Sequence, residues 1–564
     1  MCSMCSSVLQ TQGEPGSRIQ ASRTPAHPTM SFAALLTRLG GMGRFQSLYV
    51  AALALPLLLL ASHNLLQNFT AGVPDHHCRT GGLPLLASIP TDGQRRPQRC
   101  RRFVEPQWHL LDANGTANGS AAATEPCRDG WSYGDGAFAH TIVTEWDLVC
   151  ESKTWKQAAQ SIYMAGILLG SCLFGILSDK LGRRAVLTWC YLQLGVTGAG
   201  TAAAPTLLLY CLGRFLSGLA MAGVSLNTSS LCMEWIPTEA RAVVGTINGY
   251  CYTLGQFLLA AVAFALPHWR WLQLTVSLPF GLFFLYSWLL PESARWQLST
   301  GRQLQALAGL RRVARINGRE QEGASLEPEA LQALGLQEPS VPGGAVAALF
   351  RTPGMRTVSC GVSFVWFSTS FAYYGLAMDL QGFGLDMYLS QVLFGAVDIP
   401  AKLLSAVAIG SVGRRGAQGG ALALAGVCVL ANSAVPGELR ALRMALAVLG
   451  KGSLAASFNC AYIYTGELFP TAIRQTGLGL GGTMARVGGM VAPLVRMVAE
   501  VSPILPLLIY GAAPIVSAGA TYFLPETRSL PLPETVADVE MRAGHLKDKE
   551  LSIPLSSTST KDSA

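Results

Sequence analysis

Two basic residues interrupt long apolar stretches of this sequence, and their spacing places both near the middle of a membrane. Arg486 follows Arg474 by 12 residues and Lys402 precedes Gly413 by 11, roughly 16–18 Å along a helix. An ionisable side chain within a bilayer costs about 2.5–3.5 kcal/mol on insertion scales, so each requires a function or a partner. Because an arginine can donate two parallel hydrogen bonds to a carboxylate, the pattern predicts an anion-binding site.

The two cations differ in how easily they can be neutralised. Asp398 lies four residues before Lys402, on the same helix face, so the two side chains can form an ion pair instead of a binding site. Arg486 has no acidic residue in its own apolar stretch, which favours an anion-facing role, although a partner on another helix is an alternative. A cation carrier needs acidic groups at this depth, where the sequence offers Asp398.

Aromatic and polar side chains at similar depth complete the candidate site. Aromatic rings can stack on an aromatic anion, although packing or lipid contact is the commoner role of a membrane aromatic. The aromatic candidates are Tyr252, Trp366, Tyr373, Tyr374, Phe458 and Tyr462. Asn64, Ser225 and Asn459 can orient a carboxylate. Ser225, Tyr252 and Arg486 together can hold a small inorganic anion, so we expect no organic cofactor but chloride as a modulating ion.

These residues must be positioned by membrane helices. The chain has 564 residues, of which 50% are hydrophobic and 13% charged, and its mean hydropathy is +0.35. Its apolar runs reach the ~20 residues that cross a bilayer. The predicted spans are 45–66, 158–177, 186–208, 211–233, 242–264, 270–290, 357–378, 387–410, 417–434, 441–463, 475–496 and 502–524. The net charge of +8 resides mostly in loops, where it sets topology and does not indicate a nucleic-acid partner.

Short basic loops stay in the cytoplasm, so both termini are predicted to be cytoplasmic. The predicted segments are a cytoplasmic N-terminal segment (1–44, with 1–29 as an extension ahead of Met30), a first half (45–291), a cytoplasmic loop (292–356), a second half (357–524) and a cytoplasmic tail (525–564). Within the first half, 67–157 is a long polar loop, which is predicted to be extracellular.

The long loop has the composition of an extracellular segment. It contains Cys78, Cys100, Cys127 and Cys150, an even number that suits two disulfides with three alternative pairings. It also contains three Asn-x-Ser/Thr sequons, which predict glycans on Asn68, Asn114 and Asn118. The sequence does not choose among the pairings.

Three short patterns occur twice, at offsets of 231 to 234 residues. The pairs are Gly182-Arg-Arg with Gly413-Arg-Arg, Glu234-Trp-Ile-Pro-Thr-Glu-Ala-Arg241 with Glu467-Leu-Phe-Pro-Thr-Ala-Ile-Arg474, and Leu290-Pro-Glu-Ser293 with Leu524-Pro-Glu-Thr527. Three matches at nearly one offset indicate a duplication into two six-helix halves. The fold class is therefore an all-α membrane protein of twelve helices in two pseudo-repeats, with a substrate site between them.

One motif resembles the signature of the major facilitator superfamily. It runs Gly175-Ile-Leu-Ser-Asp-Lys-Leu-Gly-Arg-Arg184, after the second span. In that interpretation Asp179, Arg183 and Arg241 belong to a conformational latch, in which Asp179 binds Arg241 and the ends of neighbouring helices. Arg214 in the fourth span is predicted to pair at a helix end.

Longer stretches resemble the organic ion transporter family of that superfamily, from Met30 to about Glu540. They include Thr144-Glu-Trp-Asp-Leu-Val-Cys150 and Pro291-Glu-Ser-Ala-Arg-Trp296. The stretches Ser370–Gly375, Phe394–Lys402, Leu454–Asn459 and Gly482–Gly488 are most similar to the renal organic anion transporters. The resemblance implies exchange of organic anions such as p-aminohippurate for intracellular dicarboxylate such as 2-oxoglutarate, at the basolateral membrane of kidney cells. It also implies binding roles for Arg486, Tyr252, Tyr374 and Phe458.

The alternatives are a related carrier of steroid sulfates or urate, an organic cation carrier, and a non-transporting receptor or channel of the same fold. The expected partners are small organic anions, the dicarboxylate and membrane lipid. The sequence contains no phosphate-binding loop, no paired metal ligands and no catalytic constellation, so we expect a transporter and not an enzyme.

Overall fold

The structure is a computed structural model. It describes residues 32–92, 96–111, 122–136, 138–237, 240–327, 345–383, 386–470, 473–500, 502, 504–528, 530, 533 and 535–542. Each of the twelve predicted spans coincides with one helix or with two consecutive helical segments. Hydropathy predicts these helices well because each apolar run is a local feature of the chain.

The first six membrane helices are α1 to α6. They are α1 Arg44–Leu65, α2 Thr154–Leu181, α3 Arg183–Ala202, α4 Leu207–Trp235, α5 Arg241–Ala265, and α6 in two segments, Trp269–Ser277 and Pro279–Ser287. Pro279 begins the second segment of α6, a position where its missing N–H costs little. Helix α2 packs against α4, α3 against α4, and α1 against α5.

The last six are α7 to α12. They are α7 Pro353–Ala377, α8 in two segments, Met387–Ala396 and Asp398–Ser411, α9 Arg414–Ala434, α10 Arg440–Leu468, α11 Arg474–Met497 and α12 Leu505–Thr521. Pro400 lacks an N–H and its ring conflicts with the preceding turn, which explains the interruption of α8 at Val397. Within this half, α7 packs against α11 and α9 packs against α10 and α12.

Among the described residues, eight helical stretches are long and apolar enough to cross a membrane. They are Arg44–Thr70, Cys150–Leu181, Leu207–Trp235, Val243–Ala265, Met387–Ser411, Arg414–Ala434, Arg440–Leu468 and Arg474–Met497. The other four predicted spans correspond to α3, the two segments of α6, α7 and α12. The chain is therefore an all-α membrane protein, as predicted.

The long loop between α1 and α2 folds as a small unit on one side of the bundle, here called the disulfide side. Strand β1 (His76–Cys78) pairs antiparallel with β4 (Trp131–Tyr133), and β2 (Arg101–Phe103) pairs antiparallel with β3 (Thr124–Pro126). Of the three pairings that the sequence allows, the structure contains Cys78–Cys127 and Cys100–Cys150. Short helices Gln67–Thr70, Leu85–Ser88 and Ile142–Glu145 and 3₁₀ turns Trp108–Leu111 and Cys150–Ser152 complete it.

The opposite side, here called the motif side, holds all three duplicated patterns. In the first half, the carboxylate of Glu292 accepts hydrogen bonds from the backbone N–H groups of Arg183 and Arg184 at 3.1 Å, at the start of α3. In the second half, Glu526 accepts from Arg414 and Arg415 at 2.9 and 3.0 Å, at the start of α9. The duplicated Leu-Pro-Glu and Gly-Arg-Arg patterns therefore bind each other, because a helix N-terminus has free N–H groups and favours an anion.

The glycine of each Gly-Arg-Arg pattern is required by this contact. Gly182 and Gly413 have φ values of +102° and +97°, in the left-handed region that favours glycine. A Cβ on Gly182 would lie 2.5 Å from a carboxylate oxygen of Glu292, and one on Gly413 would lie 2.7 Å from Glu526. The glutamate can reach the helix start only because no side chain stands there.

Short helices cover the motif side. They are Phe32–Arg38, Ala294–Ser299, Gln303–Ile316, Glu320–Ala324 and Ala345–Ala348. The remaining 3₁₀ turns, Leu380–Phe383 and Val498–Glu500, follow α7 and α11 and do not belong to this cover. Asn317 joins the N-terminal helix to this cover, since its side-chain amide donates to the Leu39 carbonyl at 3.1 Å and accepts from the Phe45 N–H at 3.0 Å. Arg38 forms an ion pair with Glu322.

Candidate functional site

A fully buried ion pair lies where α8 and α10 meet α5. The Lys451 ammonium donates to Asp398 at 2.8 Å, and the two side chains are 0% and 3% exposed. The second oxygen of Asp398 accepts from the Gln256 amide of α5 at 2.8 Å. Lys451 also donates to the carbonyl of Phe394, beside the break in α8. Sequence reasoning missed Lys451 altogether, although it is a lone lysine in an apolar run.

This ion pair bears on the two interpretations of Lys402. Asp398 pairs with Lys451, and among the described residues no ion pair within 4 Å joins Asp398 to Lys402. The Lys402 ammonium instead donates to the Gly249 carbonyl at 2.7 Å and to the Thr253 hydroxyl at 3.1 Å, both on α5. In this conformation Lys402 therefore joins the second half of the protein to the first.

Arg486 is the cation that remains available. It lies at the middle of α11, is partly exposed, and donates to the Gly482 carbonyl of its own helix at 2.9 Å. The groups that interact with it electrostatically are the Tyr374 hydroxyl and the Cys172 thiol of α2. Within the part of the chain that the structure describes, no carboxylate lies within ion-pairing distance of Arg486.

Glycines bring the helix of Arg486 close to α7. A Cβ on Gly481 would lie 2.6 Å from the Trp366 indole nitrogen, and one on Gly488 would lie 2.4 Å from the Phe367 carbonyl. A Cβ on Gly489 would lie 3.1 Å from the Tyr374 ring. Small residues permit such close approach of membrane helices.

An aromatic cluster lies beside these helices. Tyr373 contacts both Tyr374 and Phe458 edge to face, with ring centroids 5.5 Å apart in each case. Phe458 also contacts Trp366 at 6.1 Å, and the Trp366 indole donates to the Thr465 hydroxyl at 3.0 Å. Four of the six predicted aromatic residues therefore form one surface in the second half.

The first half contributes Tyr252 and Asn64. The Tyr252 side chain interacts with Asn64 on α1 and with Tyr374 on α7, so this tyrosine connects the two halves. The side-chain oxygen of Asn64 also accepts from the Tyr163 hydroxyl at 2.8 Å. Tyr374 is thus an electrostatic neighbour of both Tyr252 and Arg486.

Three predicted residues lie outside that group. The Asn459 amide donates to the Ser405 hydroxyl of α8 at 2.7 Å. Tyr462 is 51% exposed and lies toward the motif side, near Arg241. The Ser225 carbonyl accepts from the Ser229 hydroxyl, and among the described residues no hydrogen bond joins Ser225 to Arg486. The three-residue chloride site remains a hypothesis.

One group of potential metal ligands has another explanation. His76, Cys100 and Cys150 place their ligand atoms within 4.8 Å of one another. Because Cys100 and Cys150 form a disulfide, they offer no thiolate to a metal ion.

Comparison with known proteins identifies the family. Residues 114–538 match the family described as "Sugar (and other) transporter". The chain is 54% identical over 523 residues to "Solute carrier family 22 member 6" of Bos taurus, covering 91% of this chain and 95% of that protein. It is 50% identical over 534 residues to "Solute carrier family 22 member 20" of Mus musculus, covering 92% and 96%. The chain belongs to the sugar (and other) transporter family of the major facilitator superfamily.

Solved structures agree on the fold of this family member. The partially occluded inward-open xylose transporter XylE of E. coli is similar with a TM-score of 0.58 and 17% identity, covering 86% of this chain and 99% of that chain. The inward-open form of the same transporter gives 0.57. The predicted superfamily, fold class and transporter activity are confirmed, and the chain is not an enzyme.

In this conformation the predicted latch residues have the following contacts. Asp179 pairs with Arg183 at 3.2 Å, and Arg183 also contacts Glu234 at 3.3 Å. Arg241, the predicted partner of Asp179, donates to the carbonyl of Ile236 instead. Arg183 lies one helical turn from Asp179, whereas Arg241 begins another helix, and the contact of Asp179 with Arg241 remains a prediction. In the second half the Arg414–Glu467 pair, at 2.9 Å, corresponds to the Arg183–Glu234 contact.

Arg214 is also placed differently. It is fully buried in α4, lies 4.0 Å from the centroid of the Tyr163 ring and donates to the His63 carbonyl at 3.4 Å. It therefore connects α1, α2 and α4 inside the first half, and no carboxylate of the described residues pairs with it.

The structure describes one of the three predicted glycan sites, Asn68. Asn68 is 7% exposed and its amide donates to the Ala377 carbonyl of α7 at 2.8 Å. A glycan on that nitrogen has no space in this conformation, so the structure argues against glycosylation at Asn68. Asn114 and Asn118 lie outside the described residues, and their glycans remain predictions.

Proposed function

We propose that the protein exchanges extracellular organic anions, with p-aminohippurate as the representative substrate, for intracellular dicarboxylate such as 2-oxoglutarate. The observation that carries the proposal is the unequal neutralisation of charge at mid-depth. Asp398 is paired with Lys451, while Arg486 lies without an acidic partner among the described residues. The central site therefore has a net positive charge, which binds an anion and repels a cation.

The aromatic surface supports an aromatic anion in particular. A carboxylate on Arg486 would place an attached ring near Tyr374, and the cluster of Tyr373, Phe458 and Trp366 extends from there. Edge-to-face contacts with aromatic rings contribute about 0.5–1.5 kcal/mol each beyond the burial of area. A dicarboxylate needs only the cationic part of the site, so one site can accept both substrates in turn.

Alternating access requires that the site open to one side at a time. Hydrogen bonds between the halves cluster at mid-depth and on the disulfide side, for example Asn68 to the Ala377 carbonyl and Ser161 to the Met490 carbonyl at 3.2 Å. Disulfides form in oxidising compartments and short basic loops stay cytoplasmic, so we assign the disulfide side to the cell exterior. The structure then corresponds to a state closed toward the outside.

Lys402 provides a mechanism that couples substrate to this movement. Its ammonium is held by Gly249 and Thr253 in the outside-closed state. When the halves rock apart, these bonds break, and a buried ammonium then requires a new partner. A carboxylate of the exchanged anion can fill that role, which makes rocking favourable only when an anion is bound.

Two further assignments belong to this proposal. Large apolar side chains remain exposed on the outer surface, such as Leu208 at 78% and Phe264 at 74%, and membrane lipid would cover them. The plasma membrane, and in kidney the basolateral membrane, is the location that organic anion exchange with the blood requires.

The proposal is tested by uptake of labelled p-aminohippurate into cells preloaded with 2-oxoglutarate. Preloading is expected to accelerate uptake, and Arg486→Asp is expected to abolish uptake without loss of surface expression. The matched control is Arg440→Gln, which removes a positive charge from the disulfide-side end of α10, away from the central site. Unchanged uptake by the Arg486 variant would remove this residue from the site.

The alternatives are separate outcomes of the same assay. Uptake of a steroid sulfate or urate without p-aminohippurate would keep the anion site and change the substrate. Uptake of an organic cation, inhibited by neutralising Asp398, would contradict the proposal. A receptor or channel would show no stimulation by an internal counter-substrate.

A further inference from the structure

Two adjoining cavities lie on the disulfide side, well away from Arg486. Their volumes are about 370 and 330 Å³, within the range of small-molecule sites. They share five lining residues from three parts of the chain, namely Val73, Arg99, Lys156, Gln157 and Arg496. The walls are the disulfide loop, the start of α2 and the end of α11.

Positive charge dominates these walls. Among the described residues that line the two cavities, the basic side chains are Arg99, Lys153, Lys156 and Arg496, and Asp379 supplies a carboxylate. Arg99 donates one nitrogen to the exposed Asp75, which lines neither cavity, at 2.8 Å. Asp379 is fully engaged, since both its oxygens bind Arg496 at 2.5 Å. His76 adds no charge at neutral pH, because burial lowers the pKa of its imidazole.

Lys156 is the residue whose charge is least compensated. It is half-buried, and electrostatic effects of both Asp379 and Arg496 reach it, but within the described chain its ammonium has no carboxylate within 4 Å. Desolvating an ammonium without a partner is costly, so this arrangement requires an anion or water at the position that Lys156 faces. The neighbouring Gln157 amide lines both cavities and supplies a further hydrogen-bond donor.

We propose that these cavities form a second anion-binding site, an outer vestibule that binds the carboxylate of an organic anion through Lys156, Gln157 and Arg99. The vestibule is formed while the halves are closed on this side, so it can hold an anion before the central site becomes accessible. Its positive field raises the local concentration of anions and accelerates their arrival. The inference extends the proposed function but depends on binding alone, not on exchange.

The first test measures binding without transport. Purified protein is acetylated with a membrane-impermeant amine reagent, and modification of Lys156 is followed by mass spectrometry with p-aminohippurate or its uncharged methyl ester present. We expect the anion and not the ester to slow acetylation of Lys156. The same protection is expected in Arg486→Gln, whose central site is disabled. Protection that disappears in Arg486→Gln, or that the ester gives equally, would overturn the proposal.

The second test measures the consequence for uptake. Lys156→Gln is expected to raise the half-saturating external concentration of p-aminohippurate by about tenfold, the loss expected for a hydrogen bond to a charged group. Lys156→Arg, which keeps the charge, is expected to restore it, and the internal half-saturating concentration of 2-oxoglutarate should not change. Arg79→Gln is the matched control, since Arg79 is exposed on the same loop and lines neither cavity.

The outcomes separate the two proposals. A wild-type protein that shows protection of Lys156 but no p-aminohippurate uptake would refute the exchange function and keep the vestibule. Normal uptake with unprotected Lys156 would refute the vestibule and keep the exchange function. Equal changes at the external and internal sides in Lys156→Gln would show that Lys156 only seals the closed state, which also refutes the vestibule.

Discussion

The buried ion pair between Asp398 and Lys451 makes a quantitative prediction about stability. The Asp398→Asn change leaves the Lys451 ammonium fully buried without an opposite charge, and Lys451→Met leaves the Asp398 carboxylate in the same position. Breaking one partner of such a pair costs about 3–5 kcal/mol, because the remaining charge keeps its desolvation penalty. Gln256 offers the remaining aspartate one hydrogen bond at 2.8 Å, which compensates only part of that cost.

The double variant Asp398→Asn/Lys451→Met separates the pair from its surroundings. Replacing both charges removes both penalties, so the double variant is expected to be more stable than either single variant. The coupling energy should then be about 3 kcal/mol, at the upper end for residues in contact. The assay heats purified protein in detergent and measures the fraction that remains monodisperse at each temperature.

The control for this experiment is an exposed ion pair. Arg315 and Glu320 lie 3.2 Å apart with both side chains more than 70% exposed, at 73% and 72%. Glu320→Gln removes one charge as Asp398→Asn does, but is expected to cost less than about 1 kcal/mol. A single Asp398→Asn variant as stable as the Glu320→Gln control would refute the reasoning, as would a double variant less stable than both single ones.

Three further predictions concern charge, helix starts and the loop. Lys451→Met should raise the half-saturating concentration of p-aminohippurate, because the Asp398 carboxylate then has no compensating charge beside the anion site. Adding Asp398→Asn should return that concentration to the wild-type value; a double variant with the same half-saturating concentration as Lys451→Met would contradict this. Gly182→Ala should lower the thermal midpoint, since the new Cβ meets Glu292 and φ is +102°, at a cost above about 1 kcal/mol; an unchanged midpoint would contradict the capping role. Cys78→Ser with Cys127→Ser, which opens a link across 49 residues, should cost about 2–5 kcal/mol by the same heating assay, and no loss of stability would show that the loop is held by other contacts.

Hydropathy and repetition predict most of the fold, because both are local or regular properties of the chain. The twelve spans agree with the helices to within six residues at each end, and the breaks in α6 and α8 occur near Pro279 and Pro400. The duplicated patterns also contained a signal that the prediction did not use. Glu292 and Glu526 recur 234 residues apart, close to the 231 of the Gly-Arg-Arg patterns, and the two patterns of each half bind each other in the structure.

The candidate site was predicted less completely, because its pairings are long-range. The anion-facing role of Arg486 is a prediction that rests on the absence of an acidic residue from its own span. Lys451 was missed, and its partner Asp398 lies 53 residues away on another helix. The alternative that Asp398 pairs with Lys402 rested on i,i+4 spacing within one helical segment, but Asp398 binds Lys451 of α10 and Lys402 donates to α5. Side chains that connect different helices cannot be paired from helical periodicity.

The central claim is that one positively charged site exchanges an organic anion for a dicarboxylate. The most direct measurement uses proteoliposomes that contain only this protein, with labelled 2-oxoglutarate inside and p-aminohippurate carrying a different label outside. We predict that p-aminohippurate enters as 2-oxoglutarate leaves, that neither moves when the other is absent, and that Arg486→Gln stops both fluxes. Entry of p-aminohippurate at the same rate into empty vesicles would contradict the account.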